Sequence, residues 1–270
     1  MQLTILIDNK PSTEKELCSE HGLSMHFIHN GKSFLLDTGA SPLFAENAPM
    51  LGIDIAAVDY LILSHAHADH TGGLRTFLEM NSKAKVYLSQ NIFGNSYYST
   101  RRGAKRDISP DQRLFKQYSE RFIPLSGNTS LCEGIAIISD IKSTCEQPAA
   151  NATLLKNDAP DDFSHEIFVT VETASGKVIL SPCSHMGAMN IIGSVDGGIS
   201  NFVGGLHLLD SDEHFSFESE EELFVIASAF KEKDIHLHTG HCTGECAKKI
   251  FSQLLGSRYS EFHTGYTVDM

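Results

Sequence analysis

The ten residues Ser64-His65-Ala66-His67-Ala68-Asp69-His70-Thr71-Gly72-Gly73 put four side chains of metal-ligand type within six positions. They follow the apolar run 60–63 directly. In a turn leaving a strand end, residues two apart point the same way and the next ones swing aside. His65 and His67 are therefore expected to hold one ion, while Asp69 and His70 face a second. Two divalent ions about 3.5 to 4 Å apart acidify a bound water and polarise a carbonyl or phosphoryl oxygen, so the expected chemistry is hydrolysis by a metal-bound hydroxide. Zinc is the first expectation for such a His/Asp site, with Mn, Fe or Ni also accepted. The plain alternative is a solvated loop or a helix start capped by Asp69 and Thr71, and the density of ligand types argues against it. The chain has 14 histidines, more than cores and helix faces normally use.

Short apolar runs bounded by turn residues must position this loop. Strands are expected near 3–7, 23–28, 33–36, 60–63, 85–88, 135–138, 167–172, 177–180, 201–203 and 234–237. Helical spacing falls at 41–50, 72–79, 112–119, 186–194, 218–231 and 244–255, and Ser219 with Glu222 makes a capping box for the fifth. Strands 23–28 and 33–36 are at hairpin spacing and predict antiparallel pairing. The pattern is mixed α/β, best met by a sandwich with helices outside two sheets. No linker or repeat divides residues 1–270, which read as a single domain. Segment 89–130 is polar and basic without a clear period and is expected to be an insertion or lid.

Twenty-one Lys and Arg against 34 Asp and Glu leave a net charge of −13, which argues against nucleic acid and acidic membrane surfaces as partners. The exception is the local patch Arg101, Arg102, Lys105, Arg106. Folded over the site, it would favour an anionic, phosphate-bearing small molecule. No apolar run approaches the roughly 18 to 20 residues of a membrane span, and the start has no basic stretch ahead of an apolar one. Six scattered cysteines fit a reducing cytoplasm rather than a disulfide framework. Cys242 and Cys246, with Cys183, keep a less favoured iron-based redox reading open, although iron–sulfur clusters usually take four cysteines. Edge strands, segment 89–130, Tyr97 and Tyr98 offer surfaces for a homodimer.

The run from His65 to His70 is the H-x-H-x-D-H signature of the metallo-β-lactamase superfamily, and the chain resembles that family over essentially its whole length. Asp37-Thr38-Gly39 resembles its early D-T-G turn, and Gly176-Lys177-Val178-Ile179-Leu180 its later GKVIL strand. Cys183-Ser184-His185, Gly204-Gly205-Leu206-His207-Leu208, His241-Cys242-Thr243-Gly244 and Glu20-His21-Gly22 narrow the resemblance. They match the dihydropterin-ribofuranosylaminobenzene-phosphate-synthase-like branch, described mostly as metal-dependent hydrolases. The resemblance implies a four-layer αββα sandwich and a small-molecule substrate. It makes His241 the last ligand of the second ion, beside Asp69 and His70. It offers His165 or His185 as third ligand of the first ion, with His185 preferred and both together as a further option. His207 stands where some branches keep a histidine that protonates the leaving group, and Asp69 would also orient the nucleophile. Cys183 replaces the family's bridging Asp, either as a bridging or ligating thiolate or as a small buried residue. The alternative activity is condensation of a dihydropterin with an aminobenzene ribose phosphate at the same metals.

Overall fold

The computed structural model describes residues 1–14, 16–101 and 103–270, so Arg102 of the basic patch lies outside the described residues. Strands whose central residues are mostly buried on both faces assemble into two seven-stranded sheets and one small one. The first sheet runs, in spatial order, Thr267–Asp269, Gln2–Ile7, Ser24–His29, Lys32–Leu36, Tyr60–Ile62, Lys85–Ser89 and Phe122–Leu125. The second runs Tyr259–Glu261, His236–Thr239, Ile199–Val203, Gly176–Leu180, Phe168–Thr173, Ile135–Ile138 and Thr129–Cys132.

The pleat explains the layers. Phe34 and Leu36 face inward with Ile62, Val169, Val171, Val178, Leu180 and Val203, forming the core between the two sheets. Their neighbours face outward: Leu35, Leu61 and Val86 pack on Phe44, Leu74 and Phe77 of helices Leu43–Met50 and Leu74–Met80. On the other side Ile179, Phe202 and Leu237 pack on Ile191, Phe230 and Phe251 of helices Ala188–Gly193, Glu220–Glu232 and Glu245–Leu255. Strands buried on both faces read as continuous apolar runs, and the stack is helix, sheet, sheet, helix. The capping box at Ser219 forms as its spacing requires, Ser219 accepting the Glu222 N–H and Glu222 Oε2 accepting the Ser219 N–H.

Each main sheet is half antiparallel and half parallel. Lys32–Leu36, Tyr60–Ile62, Lys85–Ser89 and Phe122–Leu125 are mutually parallel, as are Gly176–Leu180, Ile199–Val203, His236–Thr239 and Tyr259–Glu261. Helical crossovers leave the carboxyl ends of parallel strands free, where open α/β sheets place their sites. Asp37, the 64–70 loop, Cys183 to His185, His207 and His241 all follow such carboxyl ends.

Segment 89–130 is more ordered than its lack of period suggests. Phe122–Leu125 is the outer strand of the first sheet, and Tyr97–Ser99 and Arg106–Asp107 pair beside Leu154–Lys156 and Ala159–Pro160 in the small sheet. Strands of two or three residues are too short to show a period, so pairing across the chain decides them. No helix among the described residues is long and apolar enough to cross a membrane.

Candidate metal centre

Strain marks the site first. Asp37, Ser184, His207 and His241 all have left-handed backbones, with φ of 62°, 58°, 52° and 51°. Non-glycine residues hold this conformation only where surrounding structure enforces it. Gly204 and Gly205 let the loops close up: a Cβ at Gly204 would lie 1.7 Å from the Ser181 carbonyl oxygen, and one at Gly205 2.4 Å from Cys242 Sγ.

The hydrogen bonds then dictate which ring nitrogens are free. Asp37 Oδ2 lies 2.7 Å from His70 Nδ1 and accepts its proton, and it also accepts the Ser64 hydroxyl at 2.6 Å. With its hydrogen given to Asp37, Ser64 Oγ accepts from His65 Nδ1 at 2.8 Å. Asn151 donates Nδ2–H to the His185 carbonyl at 2.7 Å, which fixes its amide and turns Oδ1 toward His185 Nδ1 at 3.1 Å. Asn9 Oδ1 does the same for His241 Nδ1 at 3.0 Å. In each case the second ring nitrogen keeps its lone pair, the state a metal ligand needs.

Those lone pairs converge. The Nε2 atoms of His65, His67, His185 and His207 are buried and have no hydrogen-bond partner among the described residues. A buried polar atom left unpaired costs on the order of 1–3 kcal/mol, and four together point to a bound cation or ligand as their partner. Ligand atoms of His65, His67 and His185 lie within 4.8 Å of one another. In the other half, His70 Nε2 and His241 Nε2 lie 3.1 Å apart, within hydrogen-bond distance, so a proton or a metal cation is held between them. Asp69 Oδ2 stands 3.8 Å from the first and 3.6 Å from the second. The donors thus fit divalent ions of the zinc kind.

Burial opposes the charge of Asp69, but His70, His241, His21 and His67 outweigh it and hold the carboxyl below its ordinary range. Burial also lowers His70, and the Asp69 and Asp37 carboxylates reverse this and raise it. His207 is pushed down to about 3 by burial and by His67, so its imidazole is neutral.

His165 stands behind this centre. Its Nδ1 accepts the Ala66 N–H at 3.2 Å, and its Nε2 donates to Asp161 Oδ2 at 3.1 Å. Both nitrogens are thereby engaged, in contrast to His185. Asp161 Oδ2 is also 3.9 Å from His67 Nε2. Cys183 Sγ lies between the halves, within ligand reach of His65 and His70, of His185 and His207, and of His241 and Cys242. Burial and Cys242 push its thiol up, and a bound cation would reverse that by drawing out the thiolate. The Cys183 and Cys242 sulfurs are 3.1 Å apart and free.

Several residues of the centre have no local signal in the sequence. Asn9, Asn151 and Asp161 act across long stretches of chain, as does Glu166, which accepts the His185 and Met186 N–H groups at 2.7 and 2.6 Å. Burial raises Glu166 to about 7 against those two bonds.

A cavity of about 420 Å³ opens onto the centre and is lined by His67, Asp69, His185, His207 and His241, with Arg101 and Arg106 at its edge. The profile of the metallo-β-lactamase superfamily matches residues 22–118. A solved metal-dependent hydrolase of the β-lactamase superfamily superposes with a TM-score of 0.81 at 26% identity, covering 100% of this chain and 99% of that one. The chain thus resembles the metallo-β-lactamase superfamily in sequence over residues 22–118 and shares its fold over its whole length. Over 92% of its length and 89% of the relative's, it is 29% identical to 7,8-dihydropterin-6-methyl-4-(β-D-ribofuranosyl)-aminobenzene-5′-phosphate synthase of Methanocaldococcus jannaschii. A diphosphatase of the PhnP family shares the superfamily fold, with a TM-score of 0.55 at 16% identity over 100% of this chain and 97% of that one.

Proposed function

We propose that this protein is a dinuclear metal-dependent hydrolase of a small, phosphate-bearing substrate. His65, His67 and His185 hold one divalent ion and Asp69, His70 and His241 the other, zinc being first choice and Mn, Fe or Ni accepted. The observation that carries this reading is the convergence of imidazole nitrogens, with the far nitrogens of His65, His70, His185 and His241 each held by a hydrogen bond and His67 Nε2 left without a partner among the described residues. Bound there, divalent ions supply Lewis acidity and an acidified water.

The chain's own groups do the rest. Asp69, held ionised, can ligate and also accept a hydrogen bond from the attacking water. His207 lines the cavity with Nε2 unpartnered among the described residues, placed to hold or deliver a proton at the leaving oxygen. Cys183 offers a further donor between the halves. Arg101 and Arg106 line the cavity with no ion-pair partner among the described residues, which suits an anionic substrate. Lys105 is already engaged, pairing with Asp158 and lying 3.8 Å over the Tyr98 ring.

Similarity to the methanogen synthase favours a second reading, condensation of a dihydropterin with a phosphorylated aminobenzene riboside at the same centre. Product analysis separates the two. Metal-loaded protein is offered a panel of phosphate mono- and diesters and, separately, a dihydropterin with an aminobenzene ribose phosphate. Water incorporated into cleaved products supports hydrolysis; a coupled product with no cleavage of the panel overturns it.

A further inference from the structure

We infer that the side-chain amide of Asn9 sorts two histidines into opposite tautomers, leaving His241 a lone pair for a metal and making His21 an Nε2–H donor. This rests on the metal-centred reading above and adds two positioning residues to it.

Two backbone groups fix the orientation of the amide. Asn9 Nδ2 lies 3.0 Å from the His241 carbonyl oxygen, and Asn9 Oδ1 lies 3.2 Å from the Gly22 amide nitrogen. Turned over, the amide would set oxygen against oxygen and NH₂ against N–H. With the orientation fixed, Oδ1 can only accept, so His241 Nδ1 at 3.0 Å must carry a proton and its Nε2 keeps a lone pair. The remaining Asn9 Nδ2 hydrogen meets His21 Nδ1 at 3.2 Å, which must accept it. A neutral His21 therefore carries its proton on Nε2, 3.4 Å from Asp69 Oδ2. All four hydrogen-bonding capacities of the amide are used.

His21 is held in place on both sides. A Cβ at Gly22 would lie 2.7 Å from the Asp69 carbonyl oxygen, so the chain is pressed against the Asp69 turn, and Leu23 N–H donates to the same oxygen at 3.1 Å. Glu20 Oε1 accepts the Ala40 and Ser41 N–H groups at 3.0 and 3.1 Å. The His21 ring stacks on His241 at 5.5 Å and stays 56% exposed at the cavity edge. Its lone pair is spent on Asn9, so His21 stands beside the second half as a donor rather than a ligand. The Nε2–H steadies Asp69 and is open to an anionic oxygen entering the cavity.

Long-range ¹H–¹⁵N NMR of the imidazoles, above their titration range, tests this directly. In the metal-free protein His241 is expected as the Nδ1–H tautomer and His21 as the Nε2–H tautomer. Zinc should shift His241 Nε2 and leave the His21 Nε2–H in place. Asn9→Asp, which accepts but cannot donate, should turn His21 to Nδ1–H without altering His241. His21 found as Nδ1–H in the wild-type spectrum, or bound to zinc through Nε2, overturns the inference, and that spectrum decides even if the variant fails to fold. Zinc that leaves every imidazole unmoved counts against the metal reading alone, since the tautomers are read without metal.

Discussion

Behind His70 stands the Asp37 carboxylate and behind His241 the Asn9 amide, and a carboxylate, Asp69, joins their donors directly. His65, His67 and His185 present three imidazoles with no carboxylate among the proposed donors, and Ser64 stands behind His65 and Asn151 behind His185. A divalent ion among the second set keeps more uncompensated positive charge than one beside Asp69. The Asp69 half should therefore hold its ion more tightly, and the three-histidine half should polarise a substrate oxygen more strongly. Asp37 is common to both, reaching His70 directly and His65 through Ser64.

The largest expected effect follows from that shared carboxylate. Asp37→Asn keeps the shape but sets an NH₂ against a donor on one side, so both halves should lose affinity, each by on the order of 10- to 100-fold. Competition with a chelator, read by elemental analysis, checks it. Loss confined to the His70 half would show that His65 does not depend on Ser64.

His185→Ala should separate the halves. It removes a donor from the three-histidine set alone, so metal content should fall by one ion per chain while the Asp69 half stays loaded. Loss of both ions would mean that the halves fill as one unit. Asn151→Ala is the gentler form of the same test. The His185 ring remains but loses the acceptor that fixes its Nδ1 proton, and affinity in that half should fall by roughly 10-fold, the low end for outer partners of a ligand.

Much of this comparison was visible in the sequence because chemistry and spacing coincide in one loop. His65, His67, Asp69 and His70 lie together on a turn after a strand, and the apolar runs around them are long enough to mark both sheets and the outer helices. The supporting partners were not visible. Asn9 and His241 are 232 residues apart, and an asparagine in a loop has no periodicity to betray its partner. Choosing between His165 and His185 turns on which ring nitrogens are already bonded, through Ala66, Asp161 and Asn151, and spacing cannot display that. Strands such as Tyr97–Ser99, Leu154–Lys156 and Thr267–Asp269 escaped for a related reason. They are short and exist because a partner strand is there to pair with.

The smallest expected effect separates the centre from histidines that serve only the fold. His26, beside Ser33 at 2.8 Å, is pushed down to about 4 by burial. Its folded value lies below the unfolded value of 6.5, so between about 4 and 6.5 the unfolded chain binds more protons. Its contribution to stability is then complete above that window and is lost as pH falls through it, by at most about 1.4 kcal/mol per pH unit. In metal-free protein His26→Phe should make this part of the denaturant-midpoint profile less steep, the remaining slope coming from other buried histidines such as His238. In metal-loaded protein a further acid loss should persist, because protons compete with metal for His65, His185 and His241. A His26→Phe profile in metal-loaded protein that is flat down to pH 4 would contradict that competition and remove the distinction between ligand and core histidines.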